Sequence, residues 1–381
     1  MEKQNKLLNR DRWRGISPAA PEEGDSVTRE TELAALTSQV ARLFFDRQLS
    51  KKEIARRLGI SRFRVARLVD QAIARGLVTI EFRDVPPQDR SVARVIEEHW
   101  GVDLCIVSRG QGPGSDPTRA LARLAGSVIA DLIGKGAVVG IAWGSTLSAV
   151  VDEIPRRDDP SISVVQLAGS SIRLPRDRTP GELARRLAER LGGIYHALFA
   201  PAFVESRELR DALCQEPEIQ QTLAWFHRLD LAIIGIGAYA EGRQPQSSLL
   251  QAGILSDGDI EAMRAAGAIG DIGLLPFDRN GRFVAPDLRE RSIGISPEEL
   301  RRVPCVVAVA GGAEKAEAIA GALRSGIIDV LITDSAVAEQ LIASVSPASV
   351  PTGGNSRPAR QTSRPGHAGG RDATLATDSP N

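Results

Sequence analysis

Three places in the chain set small or polar residues directly after an apolar run, where an anion or a hydroxyl can be held. Val138–Ala142 is followed by Trp143-Gly144-Ser145-Thr146 and then by a helical pattern over Leu147–Ile154. A glycine turn opening a helix presents free backbone amides, here with two hydroxyls, to an anion. Gly144, Ser145 and Thr146 are thus expected to take a phosphate; the other reading is a plain turn in which Ser145 or Thr146 caps the helix. A second loop, Gln166-Leu167-Ala168-Gly169-Ser170-Ser171, offers Gln166 and the small Gly169. The third, Gly311-Gly312-Ala313-Glu314-Lys315, is again a glycine turn into a helix. A cation in a first helical turn opposes the helix dipole, so Lys315 is either a ligand for a phosphate or hydroxyl, or a plain surface lysine. Asp271 interrupts an apolar stretch between Gly270 and Gly273. A carboxylate there is costly unless it is paired or faces a cleft, and it is suited to sugar hydroxyls. Asn280-Gly281 reads as a hairpin tip, with Asp278 a structural part of it.

A different chemistry is concentrated in residues 45–83, FDRQLSKKEIARRLGISRFRVARLVDQAIARGLVTIEFR. Ser50 with Glu53 makes a capping box ahead of a helix over Lys51–Leu58. Gly59 supplies the left-handed residue that ends it, and Ser61 caps a second helix. Val65, Leu68, Val69, Ala72 and Ile73 form the expected buried stripe of that helix. Leu77–Phe82 reads as the strand of a small wing. Residues 46–83 carry ten Lys/Arg against four Asp/Glu in a chain of zero net charge, so the head is at +6 and the remainder at −6. Such asymmetry marks a duplex-binding head on an acidic body. Lys51, Lys52, Ser61, Arg62, Arg64 and Arg67 are the candidates for phosphate and base contact. The plainer reading is a solvated basic helix pair in a protein-interaction domain.

The elements that must position these residues are legible from pattern. A helix is expected from about Thr28 to Arg47, with Leu33, Leu36, Val40, Leu43 and Phe44 facing inward. Pro86-Pro87 marks a linker. Beyond it, apolar runs alternate with helical patterns: Leu104–Ser108, Ala137–Ala142, Ile162–Leu167, Leu229–Ile236, Cys305–Ala310 and Ile328–Thr333. Continuous Val/Ile/Leu/Ala runs of strand length belong to a parallel sheet covered on both faces. Ligands of such sheets bind outside the carboxyl ends of the strands, where the first three loops fall. The expected fold class is α/β: an N-terminal winged helix-turn-helix, then a mostly parallel, Rossmann-like domain. The expected division is a flexible N-terminus over 1–27, a DNA-binding domain over 28–84, an effector domain over 91–345 and a disordered tail over 346–381.

At 381 residues, 42% hydrophobic and 25% charged, the chain has the composition of a soluble multidomain protein. No apolar run reaches the length of a membrane span, and the first residues lack a secretory pattern. Three distant cysteines, Cys105, Cys214 and Cys305, argue against a disulfide framework and a cysteine zinc cluster. A cytoplasmic protein with neither metal nor cofactor is expected. His99 ends a helix at the linker, His367 lies in the tail, and His196 and His227 have no acidic partner evident in the sequence; Asp271 could act as a base, but no second catalytic group accompanies it, so no catalytic residue is assigned.

Taken together, several segments resemble the sorbitol-operon regulator (SorC) family of bacterial transcription factors. They are the helix-turn-helix at Ser50–Ile80, GIAWGSTLSAVVDEIP at Gly140–Pro155, VVQLAGS at Val164–Ser170, GDIGLLPFDRNGR at Gly270–Arg282 and VVAVAGGAEKAEAIAGALRSGIIDVLITD at Val306–Asp334. The resemblance spans roughly residues 30–345. It implies a winged helix-turn-helix joined to a domain similar in fold to glucosamine-6-phosphate deaminase and ribose-5-phosphate isomerase. It also implies a homodimer or homotetramer on double-stranded operator DNA and a phosphorylated sugar or polyol as effector. By motif, Gly144, Ser145 and Thr146 would hold phosphate, and Gln166 and Gly169 would line the second loop. Asp271 would meet sugar hydroxyls and Lys315 the phosphate. The alternative is a sugar-phosphate isomerase- or deaminase-like enzyme, since fold alone does not fix function.

Overall fold

Local signals fix the first helices. In a computed structural model of the chain, which describes residues 24–78, 88–110, 116–239 and 245–344, α2 spans Lys51–Leu58 and α3 spans Arg62–Ala74. The Ser50–Glu53 capping box is formed in both directions, and Gly59 closes α2 at φ 65°. Ser61 Oγ accepts from the Arg64 amide at 3.2 Å. Helix α1 runs over Gly24–Ala41 and continues as a π-helical turn over Arg42–Asp46. It thus starts inside the segment expected to lack regular structure. Val40, Ile54, Val65, Leu68 and Val69 form the core of this unit, with Leu33, Leu36, Leu43 and Phe44 packed on it. Ile73 departs from the expected stripe: it is 39% exposed, one residue from the end of α3, where the helix has run past that core. The wing strand, from Thr79 on, the Pro86-Pro87 linker and the tail lie outside the described residues.

The chain divides into two units between Asp84 and Val85. In the second, seven strands lie parallel in one sheet: β1 (Leu104–Ser108), β2 (Val138–Ile141), β3 (Ser163–Gln166), β4 (Ile194–His196), β5 (Leu231–Gly235), β9 (Cys305–Val309) and β10 (Val330–Asp334), in the order β1-β10-β9-β5-β2-β3-β4. Consecutive residues of β3, β9 and β10 are buried, as a sheet covered on both faces requires. β6 (Gly237–Ala238), β7 (Ala268–Ile272) and β8 (Leu275–Asp278) form a separate antiparallel sheet. The sequence shows β4 and these three strands poorly, because each is short or interrupted by glycine. Asp271 therefore lies inside a strand whose turn is Gly273-Leu274. The Asn280-Gly281 tip follows β8, where Phe277 bridges Phe283 and Asp278 accepts from the amides of Asn280 and Arg282 at 2.9 Å each.

The helices packed on the parallel sheet include α4 (Arg90–Trp100), α5 (Pro117–Leu132), α6 (Ser145–Glu153) and α7 (Pro180–Leu191). α5 and α6 meet at Gly126, where a Cβ would stand 2.8 Å from the Glu153 carbonyl carbon. The three cysteines are free thiols. Among the described residues, no helix is long and apolar enough to cross a membrane.

Candidate functional site

The strand order reverses direction between β2 and β5, and a cleft of about 490 Å³ including its mouth opens there. It sits beyond the carboxyl ends of β2, β5 and β9, at the switch point of the sheet. Gly144, Ser145 and Thr146 come from the β2 end, Gly235 and Ile236 from β5, Lys315 from the loop after β9, and Asp271 from β7. Four sequence-distant segments are thereby brought to one place.

Gly144 takes φ 129°, a value that side-chain-bearing residues rarely adopt, and caps α6 without a side chain. Its carbonyl accepts from the Ser148 amide at 2.9 Å, the first intrahelical bond. The amides of Ser145, Thr146 and Leu147 thus have no acceptor within the helix and open on the cleft.

Asp271 is 5% exposed and lies against Gly237, its register partner, where any Cβ would stand 2.3 Å from Oδ1. The Ser247 hydroxyl donates to that oxygen. The same hydroxyl accepts from the Leu249 and Leu250 amides at 3.1 and 3.3 Å, so one buried serine joins the acid to a short helix, Ser248–Gln251. Burial pushes the Asp271 carboxyl up to about 6, against the pull of Ser247, Tyr239 and Lys315. The Tyr239 hydroxyl beside it is buried without a hydrogen bond of normal geometry. Lys315 donates from Nζ to the Ile236 carbonyl at 3.3 Å. Its ammonium is held below the usual lysine range by burial, partly offset by Asp271 and Glu314. An amine, a carboxyl and three amides facing one cleft suit a small, oxygen-rich anion.

Gln166 and Gly169 do not reach this cleft. Gln166 is 2% exposed. Its Nε2 donates to the Ala168 carbonyl at 2.7 Å and Ser170 Oγ at 3.1 Å, while its Oε1 accepts from the Tyr195 hydroxyl at 2.8 Å and the Leu198 amide at 3.1 Å. Gly169 packs on backbone, a Cβ there meeting the Pro201 carbonyl oxygen at 2.3 Å. These residues hold the loop between β3 and α7. In their place the cleft receives Gln246, Ser248 and Gln251, which the sequence reading missed. Ser248 Oγ is 3.2 Å from where a Gly144 side chain would be. No periodicity or glycine motif marks this segment, so only the fold reveals it.

Among the described histidines none lines the cleft. His227 lies 3.9 Å from Glu299, an acidic neighbour the sequence did not show, and His196 stacks on Trp225 with its Nε2 buried and unbonded. Among the described residues, no cluster of three or more His, Cys, Asp or Glu side chains is arranged to hold a metal ion.

In the first unit, Lys51, Lys52, Ser61, Arg62, Arg64 and Arg67 are all exposed. Lys51 and Lys52 lie in the first turn of α2, Arg62, Arg64 and Arg67 in the N-terminal half of α3, and Ser61 is the N-cap of α3. Lys51 Nζ lies 5.7 Å from the centre of the Phe44 ring.

The chain is 29% identical over 307 residues to the Uncharacterized transcriptional regulator YjhU of Escherichia coli (strain K12), covering 79% of this chain and 92% of that protein. It is 28% identical over 312 residues to the Erythritol catabolism regulatory protein EryD of Brucella abortus, covering 81% and 96%. In fold it is similar to the full-length sorbitol operon regulator SorC of Klebsiella pneumoniae, at TM-score 0.61, 24% identity, and coverage of 82% of this chain and 99% of that one. Residues 87–343 match the Sugar-bind family, described as "Putative sugar-binding domain", and with these regulators this places the chain in the SorC-type family of sugar-binding transcriptional regulators.

Proposed function

We propose that the chain binds operator DNA through residues 28–84 and that a phosphorylated sugar or polyol, held in the cleft of residues 91–345, sets the strength of that binding. One observation carries this reading: the free amides of Ser145 and Thr146, the Lys315 amine and the buried Asp271 carboxyl converge on a single cleft. The amides and Lys315 take the phosphate. Asp271, flanked by Gln246 and Ser248, takes hydroxyls. Gln166 and Gly169 act one step back, by fixing the loop after β3. The active species is a homodimer or homotetramer on a two-fold operator, working in the cytoplasm without metal or cofactor. The ligand is bound and released unchanged, a reading supported by the similarity to transcriptional regulators.

Crossed variants test the assignment. Arg64→Ala is expected to weaken duplex binding and leave affinity for a phosphosugar as it was. Thr146→Ala is expected to do the reverse. Fluorescence anisotropy on duplexes and thermal shift over a phosphosugar panel read the two, since a ligand of the folded state raises the melting point by mass action. Equal losses in both assays from both variants would refute the assignment. Turnover of any aldose or ketose phosphate, lost in Asp271→Asn, would favour an enzyme.

A further inference from the structure

Phe63 stands out in the first unit. It is 69% exposed, whereas Phe44 and Phe45 of the same unit pack on its core. It is the second residue of α3, between Arg62 and Arg64 and two residues after the Ser61 cap. At 100° per residue it falls opposite the stripe of Val65, Leu68, Val69 and Ala72, and Arg67, four residues on, shares its face. The Arg62 guanidinium lies over the ring, 5.0 Å from its centre. A large apolar ring is thus held at the N-terminal end of a basic helix, flanked by three cations.

Cations at that place contact phosphates or guanine edges, and a phenyl ring can do neither. What the major groove offers an apolar group is the C5-methyl of thymine. We propose that Phe63 reads a thymine methyl in the operator half-site, with Arg62 stacked on it to fix the ring. This rests on the DNA-binding reading and adds to it a base, a groove and a residue.

The test uses the full-length protein. A duplex is selected from a random-sequence pool, and each thymine is replaced in turn by deoxyuridine, which removes the methyl and leaves the pairing edge intact. The parent is expected to lose about four-fold in affinity at one thymine per half-site, the worth of one buried methyl-sized group. Phe63→Ala is expected to bind the unmodified duplex more weakly and to be indifferent to that replacement. Phe63→Leu should keep part of the sensitivity. The salt dependence of Phe63→Ala should match the parent, whereas Arg67→Ala should lose about one phosphate's share of the slope. A parent that ignores every replacement, or a Phe63→Ala protein as sensitive as the parent, overturns the assignment of Phe63 alone. A parent that binds no duplex of the pool in a salt-dependent way overturns the DNA-binding reading itself.

Discussion

Asp271 shows how one residue is set by its surroundings. Its ordinary value is 3.8, and burial raises it to about 6. Between these values the folded protein keeps a proton that the unfolded chain has released. The associated stability is complete below 3.8 and is lost as the pH rises through about 6. Two pH units correspond to about 3 kcal/mol. Denaturant unfolding of the parent should therefore show stability falling between about pH 4 and pH 7. Asp271→Asn should flatten that fall. An unchanged slope in the variant would place the titration elsewhere. Gly237 belongs to the same arrangement, because the carboxylate occupies the space a side chain would need.

At the scale of elements, the turn proposed to bind the anion is only as well placed as α6, and α6 is placed by α5. Gly126 allows the two helices to touch backbone to backbone. Gly126→Val is expected to push α6 outward and cost about 1–3 kcal/mol in stability. It should also weaken inorganic phosphate binding several-fold, although residue 126 is not in the cleft. Calorimetric melting and phosphate titration on the same sample check this, and full phosphate affinity in a destabilised variant would contradict it. The Ser248–Gln251 helix is set in the same indirect way, through Ser247 and its bond to Asp271.

At the scale of the molecule, the prediction is one of linkage. If an effector changes operator affinity by some factor, the operator must change effector affinity by the same factor. A factor of about 5 to 150 is the usual range. Measuring phosphosugar affinity with and without a bound operator duplex gives it directly. Identical affinities in the two states would mean that the two units act independently.

How much of this was legible without coordinates differs between the units. In the head, caps, a turn glycine and a 3.6-residue stripe act within a few residues of one another, so Ser50, Gly59, Ser61 and the core of α3 could be named in advance. Ile73 escaped because the reach of a core along a helix is a tertiary matter. In the body, the buried parallel strands declare themselves as apolar runs, and Gly144, Asp271 and Lys315 could be singled out for their cost in such places. The sequence does not say that these three meet, since the order of strands brings residues 144, 271 and 315 to one switch point. Nor does it say that Gln166, equally polar and equally well placed after a strand, spends its hydrogen bonds on its own loop, while Gln246 and Ser248 reach the cleft. Local chemistry determined which residues were unusual. Packing decided which of them share a space, because proximity between distant segments depends on strand order and on backbone contacts such as those at Gly126 and Gly169.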